Sequence, residues 1–171
     1  MWIENGRFNR FTFTNIVTLG IKLKKFDWVE QFIKDYQHKL SLDLRENYSK
    51  YQLASLRYAQ KKYGEAIGLL ATFNSQDDLM NLGAKWIRLK IYYGEKNWEA
   101  LDSLLESMRM YLLRRKKMGY HKTYYMNIIR LTKKMIQFNG RKKNKTILIE
   151  QAKEIQVEST RNWFLTQIES L

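Results

Sequence analysis

The stretch KKYGEAIGLL, residues 61–70, decides the fold. A similar pattern stands upstream as KKFDWVEQFI, residues 24–33, and another downstream as KNWEALDSLL, residues 96–105. Aligned on the first aromatic, Phe26 is followed by Val29, Phe32 and Ile33. Tyr63 is followed by Ala66, Ile67, Leu69 and Leu70, and Trp98 by Leu101, Leu104 and Leu105. Steps of three and four place each set on one face of a helix. The aromatics stand 37 and 35 residues apart. A period of that size points to stacked helical hairpins, in which each unit buries its apolar face against its neighbours. Phe26, Tyr63 and Trp98 are therefore expected in the core.

Another periodic segment precedes each pattern. The first carries Phe11, Ile16, Leu19 and Leu23. The second carries Tyr51, Leu53, Ala54, Leu56 and Tyr58. The third runs from Leu82 through Trp86 and Leu89 to Ile91, Tyr92 and Tyr93. Asp43 with Glu46, and Ser75 with Asp78, have the form of helix-start caps. Gly64, Gly94, Gly119 and Gly140 fall at or beside the expected breaks. The expected fold is all-α, a right-handed α-solenoid of about four hairpins in a single domain. Those hairpins cover about 8–40, 43–74, 78–117 and 119–170, with the last helix running from 146 to 170. Trp2, Phe8, Phe11 and Phe13 crowd the N-terminus, where an earlier repeat of a longer array or a capping segment is expected to cover them. Homodimerisation through that end is a weaker expectation.

This pattern resembles the tetratricopeptide repeat, whose second helix opens with an aromatic followed three residues later by a small side chain. Tyr63 and Ala66 match it best, while Val29 and Leu101 replace the small residue and the repeat-closing Pro is missing. The segment 81–131 is also similar to helical tail regions of uncharacterised tetratricopeptide-like proteins from Bacteroidetes-type bacteria. The resemblance implies the fold and a protein-binding role, and it brings no assigned activity.

Composition narrows the function classes. Among 171 residues there is no Pro and no Cys, so helices run uninterrupted and neither a disulfide nor a thiolate metal site forms. No segment approaches the roughly 18 apolar residues of a membrane span. The N-terminal stretch lacks the apolar core of a signal peptide, and the expected location is cytoplasmic. Only His38 and His121 are present, with no helical His pair, Gly-rich phosphate loop or nucleophile elbow. The chain is expected to be no enzyme and to need no cofactor or metal.

Two surfaces are left as binding candidates. Arrays of this family present the first helix of each pair on their concave side. Counting back twelve residues from each aromatic gives Thr14, Tyr51 and Trp86. Eight back gives Thr18, Ser55 and Lys90, and five back gives Ile21, Tyr58 and Tyr93. Such a groove is rich in Tyr and Trp, which offer rigid contact area to a protein or peptide at low entropic cost. Family members that clamp a terminal carboxylate place Lys and Asn there. Here Thr14, Thr18, Tyr51 and Ser55 occupy the first two pairs of these positions. Packing between repeats is the competing role for these aromatics.

The second surface is cationic. The net charge is +14, and residues 111–145 hold 12 basic side chains and no acidic one. Arg114, Arg115, Lys116 and Lys117 end one expected helix. On the next, Tyr124, Ile128, Leu131, Met135 and Phe138 share one side, with Lys122, Arg130, Lys133 and Lys134 opposite. Arg141, Lys142, Lys143 and Lys145 follow in the turn. Three roles compete for this block. It is a solvated face that also suits a helix C-terminus, a nucleic-acid or ribosome-binding surface, or a dock for an acidic protein or an acidic segment of a longer chain. A membrane-surface role is disfavoured, because the apolar side of that helix is needed for packing.

Overall fold

The computed structural model describes residues 3–4, 7–138 and 140–171, and the side chains of residues 9–42, 45–138 and 140–171. Apart from one short antiparallel pair, Ile3–Glu4 (β1) with Arg7–Phe8 (β2), the regular structure described is helical. The chain divides into two compact units, Met1–Asp102 and Ser103–Leu171. Trp2 and the side chains of Phe8 and Asp43 lie outside the described residues.

The first unit is built from α1 (Arg10–Lys22), α2 (Phe26–Tyr36), α3 (Leu42–Ala59), α4 (Tyr63–Ala71) and α5 (Asp78–Gly94). A short 3-10 turn, Gln37–Lys39, follows α2. Helix α6 (Trp98–Arg114) begins in this unit and ends in the second. The three aromatics of the sequence pattern are the first residues of α2, α4 and α6. The first helix starts at Arg10 rather than near residue 8, because Arg7 and Phe8 pair with β1. Asn9 caps it, its side chain accepting from the Phe11 amide at 2.9 Å.

One turn recurs before each of the three aromatics. Lys24, Lys61 and Lys96, each two residues before its aromatic, have φ of 57°, 61° and 54°. Each donates its amide three residues back, to the carbonyls of Ile21, Tyr58 and Tyr93. The next residues, Lys25, Lys62 and Asn97, donate five back, to Gly20, Arg57 and Tyr92. This paired closure of a helix end normally uses Gly at the left-handed position. Gly64, the second residue of α4, and Gly94, the last of α5, fall beside these breaks as expected, but lysine takes the left-handed position itself. Lysine bears a Cβ penalty of about 1–2 kcal/mol at such a φ. Replacing Lys61 by Gly is therefore expected to raise stability by about 1 kcal/mol, read as a higher urea midpoint at unchanged slope.

Two apolar clusters hold the unit together. Phe13 and Val17 of α1 and Val29, Phe32 and Ile33 of α2 pack with Tyr48 and Leu56 of α3 and with Met80 of α5. Ala54 of α3, Ala66 and Leu70 of α4, and Ala84, Ile87 and Ile91 of α5 form the other. The buried stripe of α1 is Phe13, Val17 and Gly20, not the expected Phe11, Ile16, Leu19 and Leu23. Phe11 and Leu19 are 62% and 57% exposed. The helix is apolar around much of its girth, so periodicity alone did not select the packing stripe. Phe26 and Tyr63 pack against these clusters, whereas Trp98 is 43% exposed and meets the edge of Tyr93 at 5.7 Å.

The helix-start caps also differ from expectation. Helix α3 begins at Leu42 after Ser41, which puts Asp43 inside the helix. Asp77 caps α5, its carboxylate accepting from the amides of Leu79 at 2.9 Å and Met80 at 3.3 Å. Ser75 instead accepts from the Asp77 amide and fixes the turn.

In the second unit α7 (Tyr120–Ile136) is followed by α8 (Lys142–Lys153) and α9 (Glu158–Glu169). The single helix expected over 146–170 is broken at residues 154–157. Ile155 turns into the core there, and its carbonyl accepts from the Arg161 guanidinium at 3.0 Å. Local bonding thus replaces the helical partner that carbonyl loses. The apolar side of α7 is buried through Tyr125, Ile128, Leu131 and Met135. Tyr124 reaches Thr160 of α9 at 2.8 Å. Among the described residues, no helix is long and apolar enough to cross a membrane.

Candidate functional site

Helices α1, α3 and α5 carry the groove candidates to unlike environments. Thr14 accepts from the Gln52 amide at 2.9 Å and joins α1 to α3. Thr18 is exposed. Tyr51 packs between both apolar clusters and against Phe73 at 6.2 Å. Its ring lies on α5 at Gly83, where an added Cβ would stand 2.7 Å from the phenol oxygen. Burial pushes the Tyr51 hydroxyl up from its ordinary range. Ser55 donates back to the Tyr51 carbonyl at 3.0 Å. Tyr93 is buried. Thr14 and Tyr51 thus join helices, Ser55 bonds within its own helix, and Thr18 stands apart from them.

Tyr58, Trp86 and Lys90 do come together. The Lys90 ammonium lies 4.0 Å from the ring centre of Tyr58 on α3 and 5.5 Å from that of Trp86, one turn back on α5. Tyr58 is held from behind by Tyr63 at 5.7 Å. The three side chains are half-buried. No acid pairs with Lys90 among the described residues, and burial alone pushes its ammonium down to about 8. The aromatic faces attract the cation by about 0.5–2 kcal/mol, less than the hydration it gives up. The result is a desolvated positive charge with two rigid rings beside it.

The cationic block spreads through the second unit. Several members have structural work. Lys122 donates to the Arg115 carbonyl at 3.3 Å, and Lys145 to that of Glu169 at 3.0 Å, so both serve helix ends. Lys134 donates to Gln151 of α8 at 3.1 Å. Arg115 stacks on Tyr111 at 4.8 Å. The field of Lys133 helps Arg109 hold the Glu106 carboxyl below its usual range. Arg114, Lys116, Lys117, Arg130, Arg141, Lys142 and Lys143 are exposed. A cavity of about 240 Å³ between α7 and α8 is lined by Arg130 and Lys134, with Glu154 at its edge.

No cluster of three or more His, Asp or Glu able to hold a metal is found among the described residues. The Lys90 site was legible only as one position in a groove. Its neighbours were named by counting back from the aromatics, but the missing acid and the desolvation depend on what α3 and α5 place around it. No known protein family matches the chain, and neither a curated protein nor a solved structure does.

Proposed function

We propose that this protein is a non-catalytic protein-binding scaffold, a right-handed stack of helical hairpins resembling tetratricopeptide repeats. The face around Tyr58, Trp86 and Lys90 holds a segment of a partner protein. The observation that carries this reading is the pair of half-buried rings around a cation with no acid beside it. Rigid aromatics beside a desolvated charge have the make-up of an interaction hot spot.

The stacked arrangement has its own support. Fifteen residues before the three aromatics stand Phe11, Tyr48 and Gly83, and seven before stand Leu19, Leu56 and Ile91. Tyr48 and Leu56 are buried under α1 and α2, and Ile91 under α3 and α4. Phe11 and Leu19 hold the same places in the first hairpin and are exposed. An earlier hairpin of a longer array would cover them as hairpin one covers Tyr48 and Leu56.

The test is affinity capture on the immobilised protein, with Tyr58→Ala and Trp86→Ala beside the wild type. Each substitution is expected to weaken retention of the captured partner about tenfold, with little change between ~50 and ~200 mM salt. Equal retention by all three proteins overturns the reading.

A second reading rests on the exposed cations at Arg114, Lys116 and Lys117 and at Arg141, Lys142 and Lys143. These suit a polyanion such as RNA or DNA. About six phosphate contacts predict roughly a thousandfold loss of affinity between ~50 and ~200 mM salt. Fluorescence anisotropy with mixed-sequence RNA and duplex DNA reads this directly. Absence of binding at ~50 mM salt rejects it, since nonspecific attraction is strongest there.

A further inference from the structure

We propose that the turn between α6 and α7 is a single-stranded nucleic-acid site, in which Tyr120 stacks on an unpaired base while Arg114, Lys116 and Lys117 hold neighbouring phosphates. This rests on the polyanion reading of the cationic block and names the kind of strand it takes.

Tyr120 opens α7 and is 75% exposed, more than any other aromatic side chain among the described residues. The His121 ring lies against it at 3.9 Å, with 34° between the ring planes. Tyr120 is thus a backed ring with open surface, the form of a base-stacking platform. A ring left so far in water adds little to the core. An acidic or small polar residue would suit the first turn of α7 better, and that turn holds no acid. The backbone fixes where the ring stands. Met118 is buried, and Gly119 follows with φ of 50° and ψ of −135°, a conformation that suits glycine. The amides of His121 and Lys122 donate to the carbonyls of Met118 and Gly119 at 3.1 and 3.2 Å. The Lys122 ammonium reaches the Arg115 carbonyl at 3.3 Å and ties the start of α7 to the end of α6. Arg114, Lys116 and Lys117, all exposed, belong to the same turn. Lys116 is four residues from Tyr120, no more than about 15 Å along the chain. Residues 111–145 hold no acidic side chain, so nothing within the segment neutralises these cations. A nucleic-acid strand brings phosphates and flat bases in alternation, and so engages both the cations and the ring. An acidic peptide engages the cations but has no repeating ring to lay on Tyr120.

Fluorescence anisotropy at ~50 mM salt tests this with short labelled RNA and DNA strands of one mixed sequence, an abasic strand of equal length, a DNA duplex and polyglutamate. Wild type is expected to bind the RNA or the DNA strand about tenfold more tightly than the abasic strand, and the two arms tell which is held. Tyr120→Ala is expected to lose that gain. It should still bind the abasic strand and the duplex as wild type does, because one has no bases and the other keeps them stacked. Tyr120→Trp is expected to retain the gain, and Lys116→Glu with Lys117→Glu to weaken every nucleic-acid probe. Because Tyr120 is so exposed, a thermal melt of Tyr120→Ala is expected to match wild type. Equal binding of base-bearing and abasic strands by wild type, or a gain that survives Tyr120→Ala, overturns the stacking site and leaves the polyanion reading standing. Polyglutamate bound as tightly as the strands, with no gain from bases, gives the surface to an acidic protein and overturns the proposal. No binding of any nucleic-acid probe overturns both the site and the polyanion reading.

Discussion

Replacing Lys90 by Met is expected to stabilise the protein at pH 7. The ammonium is held near 8 by burial, against an ordinary value of 10.5. That gap is about 3 kcal/mol at full weight, and the attraction of the two rings reduces the net gain to about 2 kcal/mol. The sign follows from proton counts. Between pH 8 and 10.5 the unfolded chain binds the Lys90 proton and the folded chain releases it. Wild-type stability therefore gains from this residue as pH rises through that window, and the full penalty is present below pH 8. Urea unfolding at pH 7 and pH 10 checks both parts. Lys90→Met should exceed wild type at pH 7, and the difference should shrink towards pH 10. A variant no more stable than wild type at pH 7 would mean that the rings already compensate the charge.

Arg57→Met is expected to act the other way, with a loss of about 2 kcal/mol. Arg57 on α3 forks onto Glu30 of α2 at 2.7 and 2.9 Å, and its Nε reaches Glu65 of α4 at 2.8 Å. Three helices are tied by one guanidinium, whose planar fork fits a carboxylate with two bonds. The Arg57 hydrogen bond holds the Glu30 carboxyl at about 2, against burial that pushes it up, and the charges of Arg57 and Lys34 assist. The Glu30 side chain is about a quarter exposed, so solvent screening trims the full value of about 3 kcal/mol to about 2 kcal/mol. Because the folded value is depressed, this stabilisation is complete above the usual 4.5 and is lost as pH falls through 2. Thermal melts from pH 5 to pH 2 should show a steeper decline in wild type than in Arg57→Met. Parallel declines would show that the pair contributes nothing net.

The sequence alone determined that the chain is helical and where the breaks before α2, α4 and α6 fall. The aromatic, small and aliphatic residues at steps of three and four fixed the starts of α2, α4 and α6, because one face of each must leave water. The double-basic or Lys-Asn pair before each aromatic marks the turn, although the left-handed Lys within it was not legible. A lysine enters that conformation only because the helix-end hydrogen bonds on both sides hold it there. The segment 146–170 read as one helix for the opposite reason. It carries no Gly or Pro, and only the burial of Ile155 and the bond from Arg161 break it.

Tertiary structure alone decided which apolar stripe of α1 is core. Phe11 and Leu19 are as apolar as Phe13 and Val17, and contact with α2 and α3 chose between them. It also decided the character of the groove. Tyr51, Tyr58, Trp86 and Tyr93 look alike in sequence, all aromatic at helical spacing. Packing of α3 on α5 buries Tyr51, the turn before α6 brings Tyr93 against Trp98, and Tyr58 and Trp86 remain beside Lys90. A sequence records that a lysine is present. Whether its charge is hydrated, paired or stranded between rings depends on neighbours 32 positions away, since desolvation belongs to the surroundings and not to the residue.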